Sequence, residues 1–215
     1  MKTNNFKQGY IYHIFNKSIA NFEIFIDSTS QRFIYCLDYY NKKQVWTSYS
    51  NYIAKYKTYK YINILFSRDN CLVKYLSYCI MPDHYHILIK VLEEKSISKY
   101  MSDVENSFTR YFNLKFHRKG PLWQSRFKSV LIKSDEQLLH VTRYIHLNPT
   151  TSCLVKKPED WLFSSYKDYI FNHQLLKNHI HEISISNPVA YQKFTENNVN
   201  YQRKLKIIKR LLLDE

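Results

Sequence analysis

Two apolar, β-prone runs, Leu72 to Met81 (LVKYLSYCIM) and His84 to Val91 (HYHILIKV), stand back to back with only Pro82-Asp83 between them. Proline cannot donate to a strand ladder and the Pro-Asp pair favours a turn, so this segment predicts a hairpin of two central strands. Whatever else the chain forms must pack around that hairpin. Upstream, Tyr10 to Asn16 (YIYHIFN) follows Gly9 and has the aromatic and β-branched content of a first strand. From Ser28, the run SQRFIYCLDYYNKK offers a Ser N-cap, apolar Phe33, Cys36 and Leu37 at helical spacing, and Lys42 and Lys43 where a helix dipole favours cations.

Downstream, Ser96 to His117 carries Ile97, Met101, Val104, Phe108, Phe112 and Phe116 on one stripe, in steps of three or four residues, which predicts a long amphipathic helix. Lys119-Gly120-Pro121 ends it, and Leu122 to Ile132 reads as a fourth strand. Ser134 with Gln137 three residues later is a capping-box pattern, opening a helix that runs to about Asn148 and is stopped by Pro149. The order strand, helix, strand, strand, helix, strand, helix contains the split βαβ unit. It predicts an α+β, ferredoxin-like (RRM-like) sandwich with a four-stranded antiparallel sheet and helices on one face. Residues 1–169 read as that domain, with 43–70 as an insertion or irregular helical excursion. Residues 170–215 read as a basic extension, helical over Tyr191 to Leu213.

Composition narrows the function. Lys and Arg number 32 against 18 Asp and Glu, a net charge of +14, and apolar residues make up 45%, so the basic charge sits on a folded body and points to a polyanionic partner. Two glycines, Gly9 and Gly120, are too few for a P-loop or a dinucleotide-binding turn. No stretch is apolar enough for a membrane span, and the opening residues do not form a signal peptide. Cys36, Cys71, Cys79 and Cys153 are scattered without a C-x-x-C, as expected of reduced thiols in a cytoplasmic protein.

His84-Tyr85-His86 is the sharpest local feature, because the two-residue repeat of a strand puts both imidazoles on one face, where they can hold a divalent metal or simply lie exposed. Tyr144 and Asn148, four residues apart, share a helix face, so a phenol that can attack phosphorus stands one turn from an amide oxygen that can ligate a metal. With 20 tyrosines in the chain the spacing alone selects none of them; Tyr111 on the long helix is the obvious decoy.

The runs Tyr78-Cys-Ile-Met-Pro-Asp-His-Tyr-His-Ile-Leu-Ile, Gly120-Pro-Leu-Trp-Gln-Ser-Arg-Phe, Tyr144-Ile-His-Leu-Asn-Pro and Trp161-Leu-Phe-Ser-Ser-Tyr occur in this order. Together they resemble the single-tyrosine HUH (histidine-hydrophobic-histidine) transposases of the insertion-sequence 200/605 type, in the branch associated with repetitive extragenic palindromes (REPs). Asp83 stands where such proteins commonly carry Asn, and Tyr85 is a polar-tipped middle residue. The resemblance implies a metal-dependent single-stranded DNA endonuclease and strand transferase that nicks hairpin-flanked DNA through a 5′-phosphotyrosine intermediate. It implies Tyr144 as nucleophile, His84, His86 and Asn148 as ligands of Mg²⁺ or Mn²⁺, single-stranded DNA hairpins as partners, and a monomer or homodimer. Arg118, Lys119, Arg126, Lys128, Lys133 and Arg143 are the expected DNA-contacting cations, whereas Trp123 and Phe127 are expected to pack. The competing expectation is a catalytically silent nucleic-acid hairpin-binding protein on the same fold.

Overall fold

A computed structural model describes residues 6–61, 63–66, 70–94, 97–171, 182–185 and 187–203. The chain forms two compact units, residues 1–76 with 82–132, and residues 77–81 with 133–215.

The first unit holds most of an antiparallel sheet, residues 77–80 of its second strand being counted with the second unit. Strands β1 (Ile11–Lys17), β2 (Val73–Ile80), β3 (His84–Val91) and β4 (Lys128–Leu131) lie in the order β2-β3-β1-β4, with β1 antiparallel to both β3 and β4. This is the ferredoxin-like order that the predicted element sequence requires. Helices α1 (Asp27–Tyr40) and α3 (Ile97–Lys115) follow β1 and β3, and α2 (Tyr49–Tyr56) lies within the expected insertion. Alternation decides which sheet face they cover. Tyr85 stacks against Phe33 of α1, with ring centroids 5.0 Å apart, and Phe33 meets Phe108 of α3 at 5.2 Å. Ile14, Tyr85 and Ile87 therefore face the helices, while His13, Phe15 and Lys17 of β1 share the opposite face with His84 and His86 of β3 and with Lys128 and Val130 of β4.

Several boundaries differ from expectation, each for a local reason. Helix α1 is capped by Thr29, whose hydroxyl accepts from the Ile26 N–H and donates to the Ile24 carbonyl, and not by Ser28. It stops at Tyr40 because the Asn41 side chain turns to the sheet, donating to the Val73 carbonyl and accepting from the Leu72 and Val73 N–H groups; Lys42 and Lys43 fall outside the helix. Phe116 lies past the end of α3 and is 41% exposed, so the buried stripe ends at Phe112. Strand β4 is shorter than the predicted Leu122 to Ile132. Trp123 leaves the ladder to pack against Phe25, Phe33, Tyr85 and Phe108, keeping one bridge to Ser18.

The second unit holds α4 (Asp135–Thr151), α5 (Tyr166–Phe171), α6 (Pro188–Glu196) and residues 77–81. Ser134 caps α4 by accepting from the Gln137 N–H at 3.1 Å, and Gln137 reaches back to the Lys133 N–H at 2.8 Å. The helix continues through Pro149 to Thr151, past its predicted stop, because a proline in the last turn forfeits only one ladder bond. Of the helix expected over Tyr191 to Leu213, the part within α6 and residues 199–203 are helical, and residues 204–215 lie outside those described. Among the described residues no helix is long and apolar enough to cross a membrane.

Candidate active site

On the first unit, β3 presents His84 and His86 from one face, their ring centroids 5.1 Å apart and nearly perpendicular. Each ring is oriented through Nδ1. Asp83 Oδ1 lies 2.5 Å from His84 Nδ1, and Lys17 Nζ lies 3.3 Å from Asp83 Oδ2. Burial alone would raise the Asp83 pKa, but the hydrogen bond and charge of His84, joined by Lys17, outweigh it and hold the carboxyl at about 2. Asp83 is therefore ionised and can only accept, which makes His84 Nδ1 the donor.

His86 Nδ1 shares a hydrogen bond of 2.9 Å with His13 Nε2 from β1. The ring centroids are 5.0 Å apart with planes within 29°, so the two imidazoles meet edge to edge. Burial lowers the His13 pKa to about 4, which leaves that ring neutral near pH 7.

With both Nδ1 atoms so engaged, Nε2 is the atom each histidine would offer a metal; a carboxylate, backbone carbonyl or water is the usual partner behind a ligating histidine, the place Asp83 takes behind His84 and an imidazole takes behind His86. Among the described residues no group of three or more His, Cys, Asp or Glu is placed to hold a metal ion. Two imidazoles, with oxygens of water or phosphate, make a mixed set that suits a six-coordinate divalent ion with open positions. The residues present therefore fit the group.

On the second unit, Tyr144 and Asn148 lie on one face of α4. Tyr144 is 44% exposed, whereas Ile145, His146 and Leu147 beside it are buried. Partial burial raises the Tyr144 pKa, the Asn148 side chain hydrogen-bonded to it draws it down, and Cys79 nearby pushes it up. The phenol is thus protonated near pH 7. Asn148 Nδ2 donates to the Tyr144 carbonyl at 3.0 Å.

Sequence reasoning missed what fixes α4. His146 is fully buried, with Nδ1 2.6 Å from the Tyr191 hydroxyl of α6 and Nε2 2.7 Å from Ser165 Oγ. Burial takes the His146 pKa to about 3, so the ring is neutral. A single chain satisfies every group: Tyr191 donates to Nδ1, Nε2–H donates to Ser165, and Ser165 donates to the Tyr78 carbonyl at 3.2 Å while accepting from the Tyr78 N–H at 2.9 Å. Local periodicity carries no signal of this network, because its members lie 19 and 45 residues from His146 in sequence. His13 was missed because strand alternation places it on a face but only the β1–β3 register, Phe15 opposite His86, brings it to the site.

The expected DNA-contacting cations divide. Lys119, Arg126, Lys128 and Lys133 are exposed. Lys128 stands opposite Phe15, which stands opposite His86, so it is on the histidine face two strands away, roughly 10 Å at normal strand spacing. Arg118 instead holds its own turn, bonding Asn113 Oδ1 at 3.0 Å and the Pro121 carbonyl at 2.7 Å. Arg143 lies over the Phe194 ring, 4.4 Å from its centroid, and burial lowers its pKa. Tyr111 carries the Arg32 guanidinium over its ring and accepts from Lys115, a packed rim position. Phe127 stacks on Phe6.

Residues 46–148, which include His84, His86, Tyr144 and Asn148, match the family model described as Transposase IS200 like. A curated REP-associated tyrosine transposase of Haemophilus influenzae is 31% identical over 98 residues, 41% of this chain, and the match spans 56% of that relative's length. A solved REP-associated tyrosine transposase, bound to a REP hairpin, superposes with a TM-score of 0.56 at 16% identity, covering 80% of this chain and 86% of that one. The likeness in structure is one of fold, and it reaches beyond the segment matched by the family model.

Proposed function

We propose that this protein is a metal-dependent single-stranded DNA endonuclease and strand transferase, with Tyr144 as nucleophile and DNA hairpins of the REP type as substrate. The observation that carries the reading is the histidine pair of β3, with His84 and His86 each backed at Nδ1 by a hydrogen-bonding partner. A second support is that Tyr144 is exposed on a helix whose other side is locked into the protein. His84 and His86, with the Asn148 amide oxygen, would hold Mg²⁺ or Mn²⁺, which when bound polarises a phosphoryl oxygen and offsets its charge.

Tyr144 Oη attacks the phosphorus, a bond to the phenolic oxygen forms, and the bond to the 3′-oxygen breaks. The phenol proton is lost as the departing 3′-oxygen gains one, leaving a 5′-phosphotyrosine and a free 3′-OH. The new ester keeps the phosphodiester energy, so attack by another 3′-OH rejoins strands without ATP. The chemistry needs the nucleophile and the metal ligands at one phosphate, whether supplied by one chain or by two copies. Lys128 and Arg126, both exposed, would neutralise neighbouring phosphates.

The test is incubation with single-stranded hairpin DNA from beside the gene, in Mn²⁺, on a denaturing gel. Wild type is expected to nick and to leave a protein–DNA adduct, and Tyr144→Phe and the His84→Ala, His86→Ala double variant to leave neither. Tight binding without nicking in any divalent metal would replace the reading with a hairpin-binding module.

A further inference from the structure

The two histidines of β3 are backed differently. Behind His84 stands a carboxylate, Asp83, itself paired with Lys17; behind His86 stands an imidazole from another strand, His13. We propose that His13 is the positioning residue of His86, accepting the His86 Nδ1–H so that His86 keeps its lone pair, and not its proton, on Nε2. The proposal rests on the metal-site reading above and adds a residue to it.

One hydrogen lies between His13 Nε2 and His86 Nδ1, so exactly one of the two nitrogens donates. If His13 donated, a neutral His86 would carry its proton on Nε2 and could not ligate through that atom. If His86 donates, Nε2 holds the lone pair and His13 carries its own proton on Nδ1. Geometry supports this partner as a fixed one: the rings meet edge to edge, and Phe15, between the two positions on the same face, lies 5.1 Å from the His13 centroid and 5.8 Å from that of His86. The diagonal relation across β1 and β3, His13 opposite Leu88 and Phe15 opposite His86, sets the separation through the backbone ladder and not through a mobile loop. Unlike Asp83, His13 adds no negative charge, so it strengthens His86 as a donor less than Asp83 strengthens His84.

Two measurements test this. The long-range proton–nitrogen NMR spectrum of the metal-free wild type is expected to show His86 as the Nδ1–H tautomer, against the usual preference of histidine for Nε2–H. Mn²⁺ titration followed by electron paramagnetic resonance is expected to show about 10- to 100-fold weaker binding in His13→Phe, which keeps a ring but removes the acceptor. His13→Gln, whose amide oxygen can accept, is expected to recover most of that loss, which a merely space-filling role for His13 would not predict. An Nε2–H tautomer for His86 in the wild type, or wild-type Mn²⁺ affinity in His13→Phe, would overturn the proposal. If His13→Phe does not fold, the wild-type tautomer and His13→Gln decide the question alone. Should wild type bind Mn²⁺ no better than the His84→Ala, His86→Ala variant, the metal reading itself has failed, a result seen without any change at His13, and this proposal falls with it.

Discussion

Glu105 of α3 is a carboxyl buried beneath the sheet, on the side opposite the histidines, where Asn16 Nδ2 at 2.8 Å and the Tyr85 hydroxyl at 2.7 Å both donate to its Oε1. Burial outweighs those two hydrogen bonds and raises its pKa from 4.5 to about 7. In the window between these values the folded state binds the proton more tightly than the unfolded chain. Its contribution to stability is therefore full below about pH 4.5 and is lost as the pH rises to about 7. Glu105→Gln, which keeps an acceptor without the charge, is expected to remove a pH-dependent loss on the order of 3 kcal/mol across that window. Urea midpoints of both proteins from pH 4.5 to 7.5 would show it, and parallel profiles would contradict it. Residues of this kind were legible in the sequence only as far as local periodicity reaches. His84 and His86 follow from the two-residue repeat of β3, whereas Glu105, Asn16 and His13 acquire their partners through contacts many residues distant. Tyr144 was singled out by the motif around it and not by any property of its own among 20 tyrosines.

Helix α4 shows how an element can be predicted while its support is not. Its start, capped by Ser134, follows from the sequence, but its end does not, because Pro149 falls in the last turn where it breaks little. What holds the Tyr144 face in place is His146, buried between the Tyr191 hydroxyl of α6 and Ser165. Tyr191→Phe leaves His146 Nδ1 without its donor inside a dry core, at a cost of about 1–3 kcal/mol. The measurement is a urea midpoint against wild type; an unchanged midpoint would mean that the network contributes nothing. The shortening of β4 has the same origin: Trp123 reads as a strand residue by propensity, and the aromatic core of Phe25, Phe33 and Phe108 draws it out of the ladder.

At the scale of the whole molecule, a net charge of +14 makes affinity for single-stranded DNA salt-dependent, and exposed lysines are the groups that release counterions. Lys128→Ala is expected to reduce the slope of log affinity against log salt by about 0.7, one phosphate's worth for a single strand. Arg118→Ala should instead act on stability, since that side chain holds the turn after α3. Equal slopes for wild type and Lys128→Ala would place the DNA elsewhere than on the histidine face. The most direct test of the account as a whole is to trap the protein on its hairpin DNA in Mn²⁺, digest both, and locate the nucleotide by peptide mass spectrometry. A phosphonucleotide on the peptide bearing Tyr144 is the predicted result. A nucleotide on Tyr111 or any other residue, or nicked DNA with no covalent adduct, would contradict it.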